Sequence, residues 1–593
     1  MKVVLLSPPG LAPFTPPLSI MALSSYLRQE GIEAATIDTS IEFLHFNLFP
    51  ERLKDKIQAA KAVFASLGPE FSYPEQEEIT KINNRIDRDF AVVQEVWGEE
   101  GFNISKDNFE TAAAAINNAL LFTSLVNLPT IHTLNCLYAS ESMLRNKSEN
   151  PFLEYYQKKL IPRIAEFQPD LIGISYSYES QLFPGLSLTA EIRNALKVPV
   201  VCGGSFFSIM CDAVYKDGTG SVSTKKEQEE DLLGLLHPFG IYGEGEEPLL
   251  ALCKCMEKNG QYRHVPRLLY YDKKLEALKV NHHSKTIEAG KLPLIDLKDL
   301  PVGKKYLTPL VFAPLMSARG CYWNKCAFCV LAESIGSNWR RLPQEKIIQN
   351  IKLYKEHYGV DFIVFTDEAM PPVTLRFLAE RILQEGIEIY FGTMMRFEKG
   401  LLHTIELAAK AGCRFLSFGF ESGCRRIVSA MRKGYSHETA QHILDQCAEN
   451  GIAVELHVMF GFPTETVDEA RETISFLEKN SDKIAVISAN PWVLAVGSHI
   501  YDHLEHYGIV PNEGRVIADD PSTYSVTEGI GYKQALEMVN SLYGNPLLGK
   551  KILRRMGVHG FSEEYYYLQR HFPEALASPL AMARNPGAEG NHA

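Results

Sequence analysis

Short apolar, β-branched runs alternate with amphipathic helical stretches along most of this 593-residue chain. KVVLLS at 2–7 reads as a buried strand, LSIMALSSYLRQEG at 18–31 as a helix ending at Gly31, and EAATIDTS at 33–40 as a second strand. Between the first two, PPGLAPFTPP carries five prolines in ten residues, which leaves only a loop. The rhythm resumes near residue 170: DLIGISY is a strand, LFPGLSLTAEIRNALK a helix and VPVVCGG a strand. FGIYGEGEEPLLALCKCM then gives strand, Gly-rich turn and helix. Such alternation predicts a parallel, doubly wound sheet with its ligand at the carboxyl ends of the strands. Gly203, Gly204, Gly243 and Gly245 fall at those ends, where a missing Cβ lets backbone approach a ligand, or where they are simply turn glycines.

A second series begins near residue 312. VFAPLMSARG, DFIVFTDEAM, EIYFGTMMRF, RFLSFGFESG, AVELHVMFGFP and KIAVISANPWVL are strands with helices between them. About six β/α repeats are too few for an eight-fold barrel, so a partial six-stranded barrel is expected, with its site at the carboxyl ends of the strands. The whole is an α/β protein. Residues 1–255 form a flavodoxin-like domain interrupted by a helical insertion at about 43–160, and 256–309 a connector with a hairpin-like stretch. Residues 310–503 form the partial barrel, and 504–593 a small, mostly helical region with a disordered tail.

Composition narrows the function classes. The chain is 46% hydrophobic and 22% charged, as ordinary globular proteins are. A net charge of −12 and the lack of a basic run disfavour nucleic acid. No apolar stretch reaches the roughly 20 residues of a membrane span. Eleven cysteines in so long a chain do not make a disulfide framework, and a reducing, cytoplasmic setting with metal-bound thiolates fits them better.

Three of those cysteines, Cys321, Cys326 and Cys329, sit within nine residues in SARGCYWNKCAFCV. Three thiolates can hold three corners of a metal cluster and leave the fourth open for a substrate or cofactor. A closed zinc knuckle needs four ligands, and the next histidine, His357, lies far downstream in a helical pattern. Open, thiolate-rich sites favour iron–sulfur clusters, with zinc or unrelated buried cysteines as the alternatives.

The motifs carry a resemblance. RGCYWNKCAFC resembles the cluster loop of radical S-adenosylmethionine (SAM) enzymes. GFESGCRRIVSAMRKGYSHETA and HVMFGFPTETVDEARETISF resemble two further strand ends of that family. LLSPPG…PPLSIMALSSYL and VPVVCGG…YGEGEEPLLAL resemble the cobalamin-binding domain of its cobalamin-dependent subclass. Together they cover about 1–42, 165–255 and 310–500. The first two cysteines are one residue further apart than the family's Cys-x3-Cys-x2-Cys. The Asp-x-His-x-x-Gly motif that supplies an axial histidine in other cobalamin proteins is absent, and His45, His132 and His237 stand in other contexts.

The resemblance implies a 4Fe–4S cluster on Cys321, Cys326 and Cys329, SAM on the open iron, and cobalamin without a histidine beneath the cobalt. It implies SAM contacts from Phe328, Asp367, Glu368, Arg396, Glu421 and Ser422, and cobalamin contacts from Ser7, Pro8, Pro9, Ser175, Gly203, Gly204, Gly243, Glu244 and Gly245. Read from the residues alone, Arg396 could equally form a structural salt bridge, Asp367 and Glu368 could cap a helix, and Tyr322, Trp323 and Phe328 could be core aromatics. Cys413, Cys424 and Cys447 lack ligand spacing and read as structural, as does the small residue Cys202. The implied activity is methyl transfer to a radical-activated centre of a small-molecule or peptide substrate, with an electron donor such as a flavodoxin or ferredoxin. Cyclisation, oxidation or rearrangement with the same cofactors is the alternative, and a zinc-stabilised binding protein the remote one.

Overall fold

The computed structural model describes residues 1–10, 14–66, 76–98, 101–105, 107–124, 126, 150–208, 211, 239–272, 277–281, 286–308, 310–330, 339–495, 497–512 and 521–552. They form two compact units, divided near residue 312.

In the first unit, strands β1 (Lys2–Ser7), β2 (Glu33–Asp38), β3 (Leu171–Ser175), β4 (Val200–Gly203) and β5 (Phe239–Ile241) lie in the order β2-β1-β3-β4-β5, all parallel. This is the flavodoxin-like winding the alternating pattern predicts. The strands are short apolar runs, and β3 is buried along its whole length, as a sheet covered on both faces requires. Helix α1 (Leu18–Gln29) starts after Pro17 and stops before Gly31, which takes φ +81°. The strand expected over 33–40 ends two residues early. Asp38 accepts hydrogen bonds from the amides of Ser40 and Ile41 and so caps helix α2 (Thr39–Leu48).

The described part of the 43–160 insertion is largely helical, with Pro50–Ser66, Ile86–Val96 and Phe109–Ser124 as its longest helices. Its only described strands are a two-residue ribbon, Trp97–Gly98 with Gly101–Phe102. The hairpin that the sequence places in a connector does more than connect. Strands β6 (Leu268–Asp272) and β7 (Ala277–Val280) pair antiparallel beyond β5 and extend the first sheet to seven strands.

In the second unit, β8 (Phe312–Leu315), β9 (Phe362–Phe365), β10 (Tyr390–Met395), β11 (Cys413–Glu421), β12 (Ala453–Phe460) and β13 (Val486–Pro491) lie in sequence order in one sheet. The pairings from β9 to β13 are parallel. All six strands stand where the apolar runs place them, with helices between, including α3 (Arg425–Ala430) and α4 (Val467–Lys479). The end strands β8 and β13 are not paired with each other among the described residues. Phe420 of β11 stacks on Phe476 of α4 with centroids 4.5 Å apart, fixing the helix-covered face. Beyond β13 the described residues are not only helical. Ile509–Pro511 and Tyr524–Val526 form a ribbon before the helix Tyr532–Leu542.

Candidate active site

The cysteine loop leaves β8 and is fastened at once. Ser317 donates its backbone N–H (2.9 Å) and its hydroxyl to the carboxylate of Asp367, which follows β9. Burial pushes Asp367 up to about 6, against the downward pull of those hydrogen bonds. Further on, Ala327 enters an apolar cluster with Ile427, Met431, Trp492 and Tyr507. Its N–H donates to Met431 O at 3.0 Å, and Ile500 N–H donates to its carbonyl at 3.1 Å. The loop is thereby pinned on both sides of Cys326.

Cys321, Cys326 and Cys329 are all half-buried and line one cavity of about 760 Å³, together with Trp323, Tyr435, His437 and His499. Among the described residues no three His, Cys, Asp or Glu side chains converge closely enough for a single ion. The three thiols share one cavity wall, and a set of three thiolates is a donor set that suits an iron–sulfur cluster. Burial raises the Cys326 thiol, Lys433 and Arg396 pull it back down, and Glu421 and Cys321 push it up.

Charged side chains meet behind the loop. Lys433 Nζ donates to Glu421 Oε1 at 2.9 Å, and both side chains are nearly buried. Glu421 takes φ +64° at an irregularity in the pairing of β11 with β12. This turns its carboxylate over Gly419, where a Cβ would lie 2.6 Å from Lys433 Nζ. Arg396 donates to the carbonyl of Lys433 and, at 3.3 Å, to Glu398. Phe328 lies under the Lys433 ammonium, 5.8 Å from Nζ to its ring centroid.

Of the residues expected to touch SAM, Arg396, Glu421 and Phe328 thus converge around Lys433. Asp367 and Ser422 are buried and bonded within the protein. Ser422 Oγ contacts Thr473 Oγ1 at 3.3 Å and accepts from the Cys424 amide, a placement that positions the start of α3. Glu368 is half-buried next to Asp367, and burial and that neighbour both raise its carboxyl.

Sequence reasoning missed Lys433, which stands without a role in the segment GFESGCRRIVSAMRKGYSHETA. It also missed a polar group in mid-sheet. His457 Nε2 lies 2.8 Å from Ser417 Oγ and 3.4 Å from Glu455 Oε2, while Glu455 Oε1, buried, has no hydrogen-bond partner among the described residues. Glu455 and Ser417 are register partners on adjacent strands. The signal was present in AVELHVMF: two polar residues at a period of two in an apolar strand put both on one face.

In the first unit, Ser7, Ser175 and Gly203 end the adjacent strands β1, β3 and β4, where the strand order reverses. Ser7 and Pro9 are buried, and Ser175 Oγ contacts Ser19 Oγ at 2.9 Å. Gly204 follows with φ +107°, and Gly243, Glu244 and Gly245 make the turn after β5. Gln181 ties this edge together. Its fully buried amide donates to Ser7 Oγ (3.1 Å) and Pro8 O (2.8 Å) and accepts from the amides of Ser177 (2.7 Å) and Tyr178 (3.2 Å). Small residues and a braced loop suit a bulky cofactor laid across the carboxyl edge. His45 is not available to such a group, since its Nε2 bonds Lys305 O at 2.6 Å and its ring packs on Trp97 and Phe102. His132 and His237 lie outside the described residues.

Comparison with known proteins agrees with this geometry. Residues 315–477 match the radical SAM superfamily. An uncharacterized methyltransferase of Pyrococcus horikoshii is 24% identical over 320 residues, which are 53% of this chain and 65% of that protein. The matched stretch thus spans slightly less than two thirds of that relative's length. Among solved structures, the radical SAM methyltransferase TsrM from Kitasatospora setae, bound to tryptophan and a SAM analogue, aligns over 98% of both chains with TM-score 0.56 and 12% identity. The cobalamin-dependent SAM radical enzyme OxsB, bound to aqua-cobalamin, aligns over 97% of this chain and 71% of its own with TM-score 0.57 and 15% identity. Residues 315–477 are thus similar to the radical SAM superfamily, and the whole chain is similar in fold to TsrM and OxsB.

Proposed function

We propose that the chain is a cobalamin-dependent radical SAM methyltransferase acting on a small-molecule or peptide substrate. The observation that carries the reading is the set of three cysteines on one cavity wall at the carboxyl end of a six-stranded sheet. The first unit's carboxyl edge, with Ser7, Pro8, Pro9, Ser175 and the Gly203–Gly204 and Gly243–Gly245 turns, is the place for cobalamin. When bound, the cluster with SAM supplies radical hydrogen abstraction, and cobalamin supplies the methyl group.

The chain's own residues bind and orient. Cys321, Cys326 and Cys329 would hold the cluster. The Asp367–Ser317 bonds and the Ala327 contacts fix the loop. Arg396, Lys433 and Glu421 set the charge around it. His45, committed to Lys305 O, would not serve as a ligand to a corrinoid held at this edge. A one-electron donor of the flavodoxin or ferredoxin kind is required.

Anaerobic purification and reconstitution test the reading. About four irons and four sulfides per chain are expected, lost when the three cysteines become Ala. With cobalamin, SAM should give S-adenosylhomocysteine as well as 5′-deoxyadenosine. 5′-Deoxyadenosine without S-adenosylhomocysteine would replace methyl transfer by a rearrangement or oxidation, and stoichiometric zinc without iron would end the reading.

A further inference from the structure

The longer Cys321–Cys326 spacing has a structural use. Asn324 is exposed and takes φ +48°, a left-handed conformation that Asn tolerates well, so the chain reverses just after Trp323. The reversal lays the indole on the turn that follows α3. Trp323 Nε1 donates to Arg432 O at 2.9 Å. Gly434, at φ +71°, leaves room for the ring, since a Cβ there would lie 2.3 Å from it. The guanidinium carbon of Arg396 lies 4.1 Å from the indole centroid, close enough for a cation–π contact, and Arg396 also donates to Lys433 O.

Two of the three aromatic residues set between the cysteines therefore each face a cation from outside the loop. Trp323 carries Arg396 and Phe328 carries Lys433.

We propose that Trp323 is a positioning residue for the iron–sulfur cluster: it bolts the Cys321–Cys326 segment to the Arg432–Gly434 turn and holds Arg396 in place beside the loop. The inference rests on reading Cys321, Cys326 and Cys329 as the cluster's ligands. Reduction adds one negative charge to a cluster bound by three thiolates. A fixed cation in a half-buried site favours that reduced form, so loosening Arg396 makes reduction harder.

The test uses the full chain, reconstituted anaerobically, as wild type, Trp323→Ala, Trp323→Phe and Arg396→Gln. Iron and sulfide content, midpoint potential by dye-mediated titration, the EPR spectrum of the reduced form and the rate of iron loss to a chelator are measured. Trp323→Ala should lose iron at least tenfold faster than wild type, titrate at a more negative potential and show altered g-values. Trp323→Phe keeps a ring face for Arg396 but no N–H, so its potential should stay near wild type while iron loss is intermediate. Arg396→Gln should lower the potential as Trp323→Ala does. A loss of packing alone would lower the melting temperature without moving the potential of Arg396→Gln. Wild-type potential and iron-loss rate in Trp323→Ala would overturn the proposal, as would an unmoved potential in Arg396→Gln if the Ala variant does not fold. A wild-type chain that binds no iron fails at the ligand reading itself, before any variant is compared.

Discussion

Lys433 Nζ and Glu421 Oε1 stand 2.9 Å apart with side chains only 9% and 10% exposed, and the pair fills the space above Gly419. Two charges so far from water hold each other in place, and removing one strands the other. Lys433→Met should destabilise the second unit by about 3–5 kcal/mol. The double variant Lys433→Met/Glu421→Gln should recover part of that loss. Urea denaturation of the four members of the cycle reads the coupling, and strictly additive effects would mean the ion pair is not formed.

Thiol reactivity should divide the cysteines. Burial pushes Cys413 up to about 12 and Cys447 higher still, whereas Cys321, Cys326 and Cys329 are half-buried around a cavity. In metal-free protein, iodoacetamide should alkylate the cavity-lining loop cysteines well before Cys413 and Cys447, which it should reach only in denaturant. Peptide mass spectrometry gives the order. Reconstitution with iron and sulfide should protect the three loop cysteines.

His45 makes the first unit acid-sensitive. Burial lowers its imidazole from 6.5 to about 4. The unfolded chain therefore takes up the proton first. The stability His45 contributes is complete above pH 6.5 and is lost as pH falls toward 4. The loss amounts to no more than about 3 kcal/mol, because the ring is partly solvated. A His45→Gln variant should flatten the difference in stability between pH 7 and pH 4.5. An unchanged slope would place the acid sensitivity elsewhere.

Ser317 is a small residue with a large share in loop geometry. Ser317→Ala removes the hydroxyl bond to a carboxylate that is 5% exposed and leaves it only backbone donors, the amides of Ser317 and Ala318 among them. A cost of about 1–3 kcal/mol is expected. Iron loss to a chelator should quicken as well, because Ser317 lies four residues before Cys321. Asp367→Asn, which keeps an acceptor, should be milder.

Much of this architecture was legible in the sequence because it is written locally. Apolar runs such as VVLL and FIVF mark the strands of both sheets, and the cysteine triplet marks the loop. What was not legible depends on partners distant in the chain. Nothing in RLLYYDKKLEALKV reveals that Leu268–Asp272 will pair with Phe239–Ile241, since a hairpin's own pattern is the same whether it stands alone or joins a sheet. The early end of β2 depends on Asp38 turning back to cap α2, where strand and helix propensity compete over the same four residues. Lys433 looked like a turn residue because its partner, Glu421, is reached only through a left-handed backbone that sequence periodicity does not encode. Trp323 reads in the sequence as a possible core aromatic, and its grip on Gly434 needs both turns in place.

The single amide of Gln181 makes four hydrogen bonds, two to the loop after β1 and two to the loop after β3. These loops flank the reversal in strand order, so neither can swing away without stripping a buried amide of half its partners. The two loops are therefore coupled through one buried side chain. The cost of opening is concentrated in one side chain, so a change as small as Gln181→Glu, which replaces the donor with an acceptor, converts a latch into a repulsion.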